Sequence, residues 1–124
     1  MEKELREGIE RGQLALVYQP KIRLSDGTVC GAEALVRWNH PERGEINPAE
    51  FIPLAEETGL ILQIGQWVLG ESCLQRKRWD DAGVEPFPIA INCSAVQFTR
   101  GDVIADIEAA IASSGVDPRW LEVE

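Results

Sequence analysis

Val29-Cys30-Gly31-Ala32-Glu33-Ala34-Leu35-Val36-Arg37-Trp38 is the stretch from which the rest of the chain can be read. Its branched and aromatic residues give it the character of a strand, yet it carries a carboxylate and a guanidinium. Side chains alternate along a strand, so Gly31, Glu33, Leu35 and Arg37 share one face. Cys30, Ala32, Ala34, Val36 and Trp38 form the other, which is apolar throughout and must pack against something. An unpaired charge is too costly to bury in an ordinary core. Glu33 and Arg37 therefore either neutralise each other or face a polar ligand, and the strand by itself leaves both readings open.

Working backward, Leu14–Leu24 reads as a partner strand. Ser25-Asp26-Gly27-Thr28 is a tight turn, so the two strands form an antiparallel hairpin. Gln19 lies in the first strand beside Pro20. Met1–Gly12 is a short helix with Leu5 and Ile9 inward.

Working forward, Asn39-His40-Pro41-Glu42-Arg43-Gly44 has loop composition, and His40, the one histidine, is a turn residue. Asn47-Pro48-Ala49-Glu50 opens a helix with Asn at the N-cap and Pro at N1, and Thr58-Gly59 closes it. Within it, Pro53 bends without breaking the helix, and Glu56 and Glu57 form a solvated acidic patch. Leu60–Ala82 is the longest helix, with Ile64, Trp67, Val68 and Leu74 inward and the basic run Gln75–Arg78 outward. Pro86–Asn92 returns as a strand, and Ser94-Ala95-Val96-Gln97 is a capping box. Asp102–Ser114 is a helix with Ile104, Ile107 and Ile111 on one stripe, and Leu121–Glu124 begins another strand.

Strands separated by helices of this length imply parallel pairing through crossovers, hence an α/β fold. In such folds functional groups gather at the carboxyl ends of the strands. Glu33, Asn92 and Glu124 each fall on a strand, and carboxylates with an amide oxygen are the hard donors Mg²⁺ or Mn²⁺ prefer. Spacing alone does not single these three out.

The 124 residues suffice for one domain with a modest core. The net charge of -9 argues against binding to a DNA or RNA duplex, which needs a basic footprint. An acidic protein handling an anionic ligand needs local cations or metal ions. Cys30, Cys73 and Cys93 lack CxxC spacing and read as reduced thiols in a cytoplasmic protein. No apolar run reaches membrane-span length.

Six blocks in order carry a resemblance: Tyr18-Gln19-Pro20, GAEALVRW, FIPLAEETGLI, IGQWVL, INCSAVQF and LEVE. Together they resemble the EAL domain family, whose members hydrolyse cyclic di-GMP or, in non-catalytic relatives, only bind it. The resemblance implies a TIM-like (β/α) barrel of EAL type whose first strands form an antiparallel hairpin. It implies metal-dependent hydrolysis of cyclic di-GMP to linear pGpG at a two-metal site of Mg²⁺ or Mn²⁺. It assigns Glu33, Asn92 and Glu124 to metal, and Gln19, Leu35 and Arg37 to the dinucleotide, with Arg37 at a phosphate.

A closed barrel of this kind takes about 250 residues. Residues 1–124 thus correspond to the N-terminal half, ending within the strand that begins at Leu121. An Asp-Asp metal pair, a lysine near the attacking water and further glutamates belong to the family's second half. The expectation is a half-barrel that is inactive alone and that self-associates or pairs with a complementary half. The alternative is a non-catalytic EAL module acting by nucleotide binding or self-association.

Overall fold

Asp26 builds the turn of the first hairpin: its Oδ1 accepts hydrogen bonds from Thr28 N at 3.1 Å and Thr28 Oγ1 at 2.7 Å. Gly27 beside it takes φ +72°, a conformation glycine adopts without a Cβ clash. In the computed structural model, which describes residues 1–124, this turn joins β1 (Leu14–Ile22) to β2 (Val29–His40). The antiparallel register runs from Leu14 opposite Trp38 through Gln19 opposite Glu33, with one irregularity at Lys21/Ile22.

β2 continues past Trp38, and residues 39–44 are not the open loop their composition suggests. The chain folds back as β3 (Gly44–Ile46), pairing Asn39 with Glu45. His40 closes this second hairpin by accepting at Nδ1 from Glu42 N and Arg43 N, both at 3.1 Å. Its ring proton is thereby left on Nε2, 2.7 Å from Glu4 in α1 (Glu2–Glu10).

Asn47 caps α2 (Pro48–Thr58), accepting from Ala49 N at 2.9 Å, and Gly59 at φ +84° ends it. α3 (Ile61–Asp81) follows and crosses back to β4 (Ile89–Ile91). This strand is shorter than the sequence suggests. Pro86 and Pro88 have no N–H to give a ladder, although the Pro88 carbonyl still accepts from Ala32 N at 3.0 Å. α4 (Ala95–Arg100), α5 (Val103–Ser114) and a short 3₁₀ turn lead to β5 (Leu121–Val123).

The sheet order is β1-β2-β4-β5, with β3 attached to β2. β2, β4 and β5 are parallel, so an antiparallel entry is followed by crossover strands, and the sheet does not close. One face carries the core. Ala32, Ala34 and Trp38 of β2 join Ile89 and Ile91 of β4 beneath Phe51, Ile64 and Leu69 of α2 and α3. Each large apolar side chain buried this way contributes about 1.5–3 kcal/mol. Trp38 meets Phe51 edge-on at 5.7 Å between centroids, and its indole N–H donates to Gln13 at 3.1 Å.

Three helical expectations change. Leu74 and Ile104 are 41% and 70% exposed, so neither belongs to the core. Arg76, expected on the outer face of α3, is fully buried. Its guanidinium packs against both Trp79 and Phe87, 5.6 and 5.1 Å from centroids that are themselves 5.2 Å apart. It donates to Asp80 at 2.8 Å and to the Phe87 carbonyl at 3.1 Å, fastening the end of α3 to the segment entering β4. A basic run read as a solvated face thus hides one residue that the helix turns inward.

Candidate functional site at the open face of the sheet

Residues directly paired across strands point to the same face. The row Gln19, Glu33, Ala90, Glu122 is fixed by the registers of β1, β2, β4 and β5. Leu35 and Arg37 continue it along β2. Pairing persists just past the strand ends, where Glu124 N donates to the Ile91 carbonyl at 2.9 Å and Cys93 N to the Glu124 carbonyl at 3.0 Å. Asn92 and Glu124 therefore fall in register one step beyond Ala90 and Glu122. All six residues singled out from the sequence occupy the face opposite the helices, toward the carboxyl ends of the parallel strands.

They do not converge equally. Leu35, Arg37 and Asn92 also border, together with the helix-facing Ala34 and Val36, a cavity of about 310 Å³ on the helix side of the sheet, between β2, α2, α3 and the start of α4. Gln19, Glu33 and Glu124 lie outside it on the open sheet. No three His, Cys, Asp or Glu side chains draw together into a cage. Glu33 has no ion-pair partner; Arg37 directs its Nε to Glu45 on β3 at 3.0 Å. The mutual neutralisation of Glu33 and Arg37, one of two readings of β2, is therefore not the arrangement found. Glu124 Oε1 instead lies 3.7 Å from Lys21 Nζ.

The back of the cavity is tied together by hydrogen bonds. Ser94 Oγ donates to Glu56 Oε2 at 2.6 Å and accepts from Val96 N at 3.2 Å. Gln97 Oε1 accepts from Ser94 N at 2.8 Å, so the capping box is complete. Glu56 is thus no member of a solvated acidic patch, because it binds α2 to the start of α4 immediately after Asn92. Burial pushes up the pKa of the Cys93 thiol at the cavity wall, and the Asp106 carboxylate adds to the effect. The donors offered are the oxygens of Glu33, Asn92 and Glu124, a set whose hardness fits Mg²⁺ or Mn²⁺.

A family model described as "EAL domain" matches residues 2–124. The chain belongs to the EAL domain family. Over 121 residues this EAL chain is 46% identical to the bifunctional diguanylate cyclase/cyclic di-GMP phosphodiesterase MucR of Pseudomonas aeruginosa, covering 98% of the chain and 18% of the relative. It is 40% identical over 124 residues to the cyclic di-GMP phosphodiesterase NbdA of the same species, covering 16% of it. Among solved structures, the PaMucR phosphodiesterase in complex with c-di-GMP superposes with a TM-score of 0.93 at 45% identity, covering 98% of this chain and 49% of that one. The FimX EAL domain from Pseudomonas aeruginosa bound to c-di-GMP, at 23% identity and a TM-score of 0.84, shares the fold, with 48% of it covered. The chain thus spans about half of these EAL structures. No helix of this EAL chain is long and apolar enough to cross a membrane.

Two further residues, Lys21 on this face and Glu56 on the helix side, are not marked by the sequence. Lys21 carries no local motif, and only the register reveals that it shares the face of Glu33. Adjacent helical residues point about 100° apart, which argues against a Glu56–Glu57 carboxylate pair but does not reveal that Glu56 turns toward Ser94.

Proposed function

We propose that this chain forms the metal- and phosphate-binding half of a cyclic di-GMP phosphodiesterase. The observation that carries the reading is the register: Glu33 on β2, and Asn92 and Glu124 just past the ends of β4 and β5, fall on one face of the sheet. The relatives named as cyclic di-GMP phosphodiesterases and the related structure holding c-di-GMP supply the substrate class.

In this reading Glu33, Asn92 and Glu124 hold Mg²⁺ or Mn²⁺. The bound ions supply a water of lowered pKa and offset charge at phosphorus. One phosphodiester P–O bond is broken by one water, and the ring opens to linear pGpG. Arg37 offers forked N–H donors to a phosphate, Gln19 an amide, and Leu35 an apolar surface. Arg37 can reach a phosphate because its present partner is weak. Glu45 is 58% exposed, and such pairs contribute about 0.2–1 kcal/mol. Cations are also what a protein of net charge -9 requires to accept an anionic dinucleotide.

The sheet ends on β1 and β5, which have no outer neighbours. Unpaired strand edges are templates for association, so a second copy or a complementary half-barrel is the partner this reading calls for. The test uses the chain alone and the chain mixed with the second half of the MucR EAL domain, each with cyclic di-GMP and Mn²⁺. We expect pGpG only from the mixture, and no product once Glu33→Ala is introduced. Product from the chain alone would remove the need for a partner. A mixture that assembles and stays inactive while still binding cyclic di-GMP would favour a non-catalytic binding module.

A further inference from the structure

We infer that Lys21 is a built-in counter-cation for Glu124, a positioning residue that a divalent ion must displace; this rests on the metal reading above. Lys21 and Glu124 share a face but lie at opposite edges of the sheet, with β2 and β4 between them. Strands about 4.8 Å apart would separate the outer pair by roughly 14 Å in a flat sheet. The Nζ–Oε1 distance is nevertheless 3.7 Å. Gly31 helps make the crossing possible. It pairs directly with Lys21, and a Cβ placed on it would stand 3.5 Å from Lys21 Cδ and 3.4 Å from the Pro88 carbonyl. The lysine stem is thus laid over the one residue of β2 that presents no side chain on that face.

The charges on this face leave Lys21 without a rival. Arg37 is engaged by Glu45, and Glu33 has no cation. Lys21 therefore supplies the positive charge that Glu124 meets before any metal arrives. An ammonium and a divalent ion compete for the same carboxylate oxygens and repel each other at contact distance. The pair is about half exposed, at 45% and 47%, so its loss changes stability little and acts on ion affinity. Lys21 sets the concentration at which Glu124 exchanges ammonium for metal, and so keeps the face from filling at trace levels of metal.

The experiment is a Mn²⁺ titration of the 124-residue chain followed by water-proton relaxation, with Lys21→Met, Lys21→Arg and Glu33→Gln alongside wild type. Lys21→Met should bind Mn²⁺ about three- to tenfold more tightly. The gain should shrink as salt is raised. Lys21→Arg should match wild type, and all four melts should coincide. An unchanged or weaker affinity in Lys21→Met, with binding lost in Glu33→Gln, overturns the role of Lys21 and leaves the metal assignment standing. Binding by Glu33→Gln equal to wild type, or no binding by any variant at millimolar Mn²⁺, overturns the metal assignment and this inference together.

Discussion

Gly65 on α3 makes the space that Gln97 on α4 occupies. A Cβ built on Gly65 would stand 2.7 Å from Gln97 Cδ, closer than any real contact. Gln97 is only 4% exposed and cannot swing away without breaking its bond to Ser94 N. Gly65→Ala should therefore cost about 1–3 kcal/mol in urea unfolding. Adding Gln97→Ala removes the clash, so the double variant should be destabilised by less than the sum of the two single changes. Additive losses would mean that the two residues do not press on each other.

Glu33 and Arg37 should prove dispensable for stability. Arg37 loses only a partly exposed pair with Glu45, and Glu33 loses no partner, so each alanine variant should unfold within about 1 kcal/mol of wild type. Equal losses of about 3–5 kcal/mol would instead mark a buried structural pair. In the complemented domain the two should separate by kinetics. Glu33→Ala should lower kcat and Arg37→Ala should chiefly raise KM, because phosphate contacts exist before and during reaction.

Arg76 should be among the most costly residues to truncate. Arg76→Ala opens a cavity beside the Trp79 and Phe87 rings and leaves the Phe87 carbonyl without its donor, for a loss of about 3 kcal/mol or more. Arg76→Met keeps the volume, and Asp80, which is 31% exposed, can turn to water, so this variant should lose about half as much or less. Chemical denaturation of the two variants distinguishes packing from charge.

Alkaline pH should unfold the domain partly through Tyr18. Burial against Trp79, 5.2 Å between centroids, pushes its phenol up to about 12, with the Glu71 carboxylate adding to the effect. In the unfolded chain tyrosine titrates near ~10. Above that pH the unfolded state has already lost a proton that the folded state still holds, so stability falls between roughly pH 10 and 12. Solvent access at this half-buried ring keeps the loss to roughly 1 kcal/mol. Tyr18→Phe should flatten that segment of the stability curve.

The sequence made some features legible and concealed others for physical reasons. The first hairpin, the Asn47 and Ser94 caps and the glycine stops at 59 and 115 are local, and each is written in a few adjacent residues. The fates of Leu74, Arg76 and Ile104 depend on which neighbour a helix meets, and α3 turned Arg76 toward Phe87 while leaving Leu74 in water. The same limit applies to the candidate site. Glu33, Asn92 and Glu124 could be proposed because motifs mark them, whereas Lys21 and Glu45 became visible as neighbours only once the registers were known. Three short hairpin residues, Gly44–Ile46, escaped notice because His40 closes their turn with a ring nitrogen that no turn composition encodes.

The parallel pairing of β2 with β4 also sets an order of assembly. β1 and β2 are joined by a six-residue connection, and their ladder can form as soon as both have been synthesised. Ala32 and Ile89 are 57 positions apart (89 minus 32), so their pairing must await all of α2 and α3 and bear the entropy of closing that loop. Gln19 and Glu33 thus come together early, while Asn92 joins them only after the crossover has docked. A metal held by these strands would lock in the latest-formed part of the topology, and its binding would report that the slow, long-range steps of folding were complete.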